Sequence, residues 1–253
     1  MRKLRILIGY ELQQYFFSPF FYAICGLFLF LLGAIFFVSL IVYADFRQDE
    51  PLPMQLFKAM GLPLLIIVPV LTTRAIASEK VDRYFDSLLL LPVSNISIIL
   101  AKFLVIHSIY AGLWAMVAFF PEIAQQVVPS LGEFRDFTDF WVRLGGWSFV
   151  NLVGGMAIAF GLLASVRAKT PATAMAMSVV GIFLFLVSGE LFKHILGVFP
   201  DRFEIFSSFY NNWNIFFQVE DFCRGIFDTR VIIAYISATA ALLCMAAVTL
   251  REN

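Results

Sequence analysis

Apolar residues gather into six long blocks along the chain, at 20–43, 56–73, 98–120, 144–166, 171–189 and 231–250, with shorter polar stretches between them. Each block is close to the about 17–25 residues that an α-helix needs to cross a bilayer at 1.5 Å per residue. The roughly ten-residue alternation of a membrane β-barrel is absent. The pattern predicts an all-α membrane protein with six transmembrane helices forming a single transmembrane domain over residues 1–253.

Two polar stretches carry a helical rhythm of their own. In residues 1–18, Leu4, Ile8, Leu12 and Tyr15 line one face, Arg5, Gly9 and Gln13 follow another, and Ser18-Pro19 marks a break before the first span. Basic residues with an apolar stripe predict a helix lying in the membrane interface. The second stretch lies within residues 74–97, where Arg74, Glu79, Lys80, Asp82, Arg83 and Asp86 interrupt the apolar pattern. Each of these charges would cost about 2.5–3.5 kcal/mol at the centre of a membrane helix, so the segment is expected outside the hydrocarbon. Val81, Tyr84, Phe85, Leu88 and Leu91 recur at three- and four-residue spacing, which predicts a short amphipathic helix. Leu91-Pro92 ends it, because the residue before proline avoids the α region, and Ser94 or Asn95 can cap the next span. From pattern alone, either amphipathic helix serves equally well as a solvated connector or anchor and as a docking element.

Composition agrees with the pattern. Hydrophobic residues make up 61% of the chain and charged ones 14%, with 30 phenylalanines, far from the soluble average of about 25% charged. Formal charge is zero, but its distribution is polarised. With the N-terminus inside, one side holds ten basic and five acidic residues and the other eight basic and thirteen acidic. The short "VRAKT" turn, with two bases and no acid, is the clearest local signal that both termini are cytoplasmic. The basic opening "MRKLR" does not read as a secretory signal, since the apolar block stands well back from it, is too long and has no A-x-A-like ending. Cys25 and Cys244 fall in spans and Cys223 stands alone outside, so no disulfide framework is expected.

Residues 190–230 are too polar to span yet dense in rings, as in "FEIFSSFYNNWNIFF". Such rings are expected to insert at the outer interface or to plug an outer vestibule, with a simple aromatic belt as the plain alternative. Pro63 and Pro69 are expected to kink the second span, and Gly155-x-x-x-Ala159 and Ala157-x-x-x-Gly161 to bring the fourth close to a neighbour.

Chemistry-bearing constellations are sparse. Two histidines, His107 in the inner half of the third span and His194 near the outer face, do not make a zinc site, and Gly146-Trp147-Ser148 has no neighbouring base. No enzymatic activity, metal or nucleic-acid partner is expected of the chain itself. The span centres contain no Asp, Glu, Lys or Arg, with Asn151 the main strongly polar residue, which argues against ion coupling. A stand-alone secondary transporter, or a membrane anchor or scaffold, remains the alternative to the reading that follows.

The order of elements, with "ELQQYFFSPFFYAICGLFLFLLGAIFF" first and "SEKVDRYFDSLLLLPVSNISIILAKFL" between spans two and three, resembles the ABC-2-type permease subunits of ATP-binding-cassette transporters. It looks closest to their gliding-motility-associated branch. Ser78-Glu79, Arg83-Tyr84, Asp86, Leu88 to Leu91, Pro92-Val93-Ser94 and Ala101-Lys102-Phe103 occupy the positions of that branch's cytoplasmic motif, and "FCRGIFDTR" resembles its phrase before the last span. Ser78 stands where the branch has its first Glu, and Arg83-Tyr84 where it has Gly-Thr.

The resemblance implies an exporter subunit of a bacterial inner membrane, with an N-terminal interface helix at 1–18, a cytoplasmic coupling helix within 74–97 and a re-entrant segment at 190–230. It implies a second permease copy or paralogue, surrounding membrane lipids, and a separate ATPase subunit that holds ATP and magnesium. No Gly-Lys dipeptide occurs, so the chain has no phosphate-cradling loop of its own. The implied ATPase-coupling residues are Glu79, Arg83, Asp86, Pro92 and Ser94, with Arg2, Lys3 and Arg5 as a secondary contact. The implied outer gate is Phe209, Trp213, Phe216 and Phe217.

Overall fold

The computed structural model describes residues 2–45, 51–81, 94–127, 140–197 and 214–252, without the side chains of 2–3, 43–45, 79–81, 127, 190, 192–193, 195–197 and 251–252. Among the described residues all regular structure is helical. In chain order the helices are α1 (Arg2–Phe16), α2 (Pro19–Asp45), α3 (Leu52–Lys58), α4 (Gly61–Val81) and α5 (Asn95–Ala118). After them come α6 (Phe120–Val127), α7 (Phe140–Arg167), α8 (Pro171–Gly197), α9 (Ile215–Cys223) and α10 (Thr229–Glu252). Among the described residues, six segments are long and apolar enough to cross a membrane: Pro19–Val42, Gly61–Ser78, Asn95–Gln126, Phe140–Arg167, Pro171–Gly189 and Thr229–Leu250. The chain is a multi-pass helical membrane protein.

Helix starts follow local chemistry. Pro19 and Pro171 open α2 and α8, where a proline loses no intrahelical bond. Asn214 accepts from the Phe216 N–H at 2.9 Å to start α9, and Asp228 accepts from the Arg230 N–H at 2.8 Å ahead of α10. Gly225, at φ +80°, turns the chain between those two helices in the left-handed conformation glycine tolerates. Ser94 stands at the cap position of α5 but makes no capping bond with its side chain; its hydroxyl pairs with that of Ser97 at 2.7 Å.

The second span differs from expectation. Residues 52–58 form the separate helix α3, and the spanning helix begins at Gly61, so Leu56 and Phe57 belong to a packed preliminary turn. Pro63 therefore sits in the first turn of α4, where the first N–H with a helical partner is that of Leu64, bonded to Met60 O at 3.0 Å. Its missing N–H removes no bond there. Only Pro69 lies inside that helix.

Helix α7 is the axis of the bundle. Its side chains are buried along almost the whole length, against α10, α4, α5, α8, α9 and α3. Small residues make this possible: a Cβ on Gly161 would lie 2.4 Å from Thr72 Oγ1 of α4, so the expected close contact of the fourth span is with the second. The buried core centres on Trp114, Tyr110, Phe57, Phe28 and Phe149, with the Phe57 and Trp114 rings stacked at 5.9 Å. Helices α2, α8 and α10 keep long apolar faces exposed, including Phe30, Phe37, Phe183, Leu184, Ile233 and Ile236. In a membrane protein such faces meet lipid or another membrane subunit.

Candidate functional site

Among the described residues, the most deeply buried ion pair lies at the end of the bundle where α1 meets the C-terminal half of α4 and the start of α5. The α1 face that packs inward is Leu7, Glu11, Tyr15 and, just past the helix, Ser18, with Leu4, Ile8 and Leu12 half-buried beside it. Glu11 and Lys102 form an ion pair at 2.7 Å, with side chains 2% and 0% exposed. Leu7 packs on Ile98 and Ala101 one turn away. Tyr15 donates to the Leu71 carbonyl of α4 at 3.1 Å, and Arg74 donates to the Ser18 hydroxyl at 2.6 Å while its guanidinium lies 4.9 Å from the Phe20 ring. Helix α1 is thus tied to both helices that flank residues 82–93.

This end was only partly visible in the pattern of residues. The inward stripe of α1 was expected through Leu4, Ile8, Leu12 and Tyr15, but its centre runs through Leu7 and Glu11. Lys102 belongs to the Ala101-Lys102-Phe103 stretch, and nothing in the pattern pairs it with Glu11. The available signal was a single acid in a helical stripe and a single base in an apolar helix start, each too costly to bury unless paired. Arg74 belongs to the continuous helix α4 and is anchored to Ser18 and Phe20 instead of standing in a connector.

Of the other coupling candidates, Arg5 is exposed on α1, and Arg2 and Lys3 lie in its first turn with side chains outside the described set. Glu79 falls in the last turns of α4, again without a described side chain, and Ser94 is exposed at the head of α5. Arg83, Asp86, Pro92 and the amphipathic helix expected around them lie outside the described residues. The structure brings the surroundings of that segment together, at α1, α4 and α5.

The opposite end is closed by two short helices. A Cβ on Gly145 would stand 2.0 Å from the Phe222 carbonyl oxygen, and one on Gly146 2.2 Å from the Phe57 ring, so α9 and α3 both lean on the start of α7 through its lack of side chains. Lys58 and Glu220 pair across α3 and α9 at 3.2 Å, and Arg224 also pairs with Glu220. Arg143 pairs with Glu122 at 2.8 Å, joining α7 to α6. Cys223 is buried in this corner, and burial pushes its thiol up to about 12, with Lys58 pulling down and Glu220 adding a smaller push upward. Phe209 and Trp213 lie outside the described residues. Phe216 and Phe217 lie on the exposed side of α9, whereas Ile215, Val219 and Phe222 face the bundle.

Among the described residues, two clefts flank α10. One, about 280 Å³, lies toward α8 and α9 around Phe185, Gln218 and Tyr235, with Asp228 and Arg230 at its rim. The larger, about 640 Å³, runs between α5, α7 and α10 and is walled by Phe103, His107, Trp147, Asn151, Ile236 and Leu243, with Ser148 and Thr239 among the few polar groups. His107 lies in the first half of the third candidate span, Asn95–Gln126.

Comparison of the chain with known proteins gives no match to any family model and none to any curated protein.

Proposed function

We propose that the chain is the membrane-spanning permease subunit of an ABC-2-type exporter. In this reading it pairs with a second permease and couples ATP hydrolysis on a separate ATPase subunit to export or mechanical work across a bacterial inner membrane, with both termini cytoplasmic. The observation that carries this reading is the tie of α1 to α4 and α5 through Tyr15–Leu71 O and Glu11–Lys102. Residues 82–93 join the ends of α4 and α5, so a load applied there enters two spans at once, and α1 moves with them. A buried ion pair suits such a joint: it holds one register and resists gradual slippage, since an offset would leave a charge without its partner. The basic turn at Arg167 and Lys169, exposed where α7 gives way to α8, supports the cytoplasmic assignment of this end. The apolar faces of α2, α8 and α10 offer area for the second permease.

The test is a mild-detergent purification of the tagged chain from its native host, with mass spectrometry of what accompanies it. A Walker-motif ATPase in near one-to-one ratio is the expected result, and a second permease species would define a heterodimer. A six-span protein that remains alone in several detergents overturns the reading in favour of a stand-alone transporter or anchor.

A further inference from the structure

The smaller cleft joins an apolar wall to two charges. Val231, Ala234, Tyr235 and Ala238 follow one another at three- and four-residue spacing, so a single face of α10 lines it, together with Met156 of α7 and Phe185 of α8. The Phe185 and Tyr235 rings meet edge to face at 6.4 Å, and the Tyr235 hydroxyl donates to Gln218 Oε1 at 2.9 Å, so the polar tip of that ring is engaged within the protein. From Arg230 to Ala238 the wall runs about 12 Å along the helix, within one leaflet's half of the roughly 30 Å hydrocarbon core. Where the candidate span Thr229–Leu250 begins stand Asp228 and Arg230, both exposed and both lining the cleft. Asp228 Oδ1 accepts from the Arg230 N–H at 2.8 Å, but among the described residues neither side chain is in an ion pair, with the other or with a third group.

A volume of about 280 Å³ is just below the roughly 300–1,000 Å³ of small-molecule sites, so the cleft takes one chain of a lipid rather than a whole molecule. An acid and a base two positions apart at the head of a span match a headgroup that carries both signs. Arg230 meets its phosphate, and the Asp228 carboxylate accepts from its ammonium in a charge-assisted hydrogen bond. A headgroup with only negative charge would meet that carboxylate as a like charge, and a choline has no N–H to give it. We infer that the cleft between α7, α8 and α10 binds a phospholipid with a primary amine, of the phosphatidylethanolamine class, one acyl chain along Val231, Ala234 and Ala238 and its headgroup between Asp228 and Arg230. The site does not depend on the transport reading, because it is defined on one chain and binding needs no ATP.

The test uses the full chain, with any co-purifying subunit retained, in phosphatidylcholine nanodiscs that hold a trace of one of three probe lipids. Each probe has the same diazirine-bearing acyl chain, under a phosphoethanolamine, a phosphocholine or a phosphoglycerol headgroup. The ethanolamine probe is expected to label peptides covering 228–238 about fivefold more than either of the others, the effect of one net hydrogen bond. Asp228→Asn keeps the helix cap, since asparagine caps as well as aspartate, and should bring the ethanolamine probe down to the choline level. Ala238→Phe fills the apolar wall while leaving both charges, and should remove the preference too; a preference that persists there is surface contact with Asp228 and overturns the cleft as the site. Equal labelling by the three headgroups also overturns the proposal. So does a preference that survives Asp228→Asn, or a cleft that no probe reaches because a second subunit's helix fills it.

Discussion

Removing Lys102 alone should harm the protein more than removing Lys102 and Glu11 together. The two side chains are almost wholly enclosed, so Lys102→Met leaves the Glu11 carboxylate in a low-dielectric site without its cation. Breaking such a pair from one side costs about 3–5 kcal/mol, whereas replacing both partners by apolar groups is often neutral. Thermal unfolding in detergent should rank the unaltered chain near Glu11→Leu/Lys102→Met and well above Lys102→Met; a double variant as unstable as the single would show that the pair does not act as a unit. Cys223 offers a second residue-scale test. Its folded value of about 12 lies above the ordinary 9.0, so the native state keeps its proton where the unfolded chain loses it. Stability from this group is therefore fully present below about pH 9 and falls by about 1.4 kcal/mol per pH unit above it, toward pH 12. Unfolding measured between pH 8 and 10.5 should show a steeper alkaline loss for the unaltered chain than for Cys223→Ala.

Among elements, the packing of α9 on α7 rests on Gly145. Gly145→Ala forces a methyl group against the Phe222 carbonyl, which is backbone and cannot rotate away, so α9 must shift. A loss of roughly 1–3 kcal/mol is expected from such overpacking. Gly112→Ala on α5 meets nothing within 4 Å and should be neutral or slightly stabilising, since alanine gains up to about 1 kcal/mol over glycine inside a helix. Thermal stability of the two variants, measured side by side, should move in opposite directions or at least separate clearly. The six spans were legible because each is a sufficient run of apolar side chains. The split between α3 and α4 was not, because residues 52–73 are apolar almost throughout and periodicity alone does not mark the break at Ala59-Met60. The inner stripe of α1 was readable to within one position. Its polar member, Glu11, was not, because only the presence of Lys102 makes that burial tolerable.

At the scale of the whole molecule, the question is whether force entering between α4 and α5 reaches the bundle. If the proposed coupling is right, the double charge reversal Arg83→Glu/Asp86→Arg should leave insertion and expression unchanged and reduce permease-stimulated ATP hydrolysis to the level of the ATPase alone. Reconstituted ATPase activity is the measurement, and undiminished stimulation with intact complex formation would remove these residues from the coupling surface. The axis of the bundle is α7. It is packed on six other helices, and close-packed interiors move as units.

Hydrophobic length is a local property, summed along one stretch of chain against the thickness of the bilayer, and so the amino-acid sequence alone determined the six spans and their all-helical class. Partner choice between helices is a different matter. Lipid tails are as apolar as leucine, so hydrophobicity does not tell one helix which neighbour to choose, and the choice falls to small residues and to polar pairs far apart in the chain. Tertiary structure decided that Glu11 meets Lys102, that Phe57 enters the gap above Gly146 and that Phe222 rests on Gly145. It also decided that Ser148, Asn151 and Thr239, from two separate spans, line the same cleft. Each of these depends on steric fit and charge compensation between surfaces that come together only when the bundle packs.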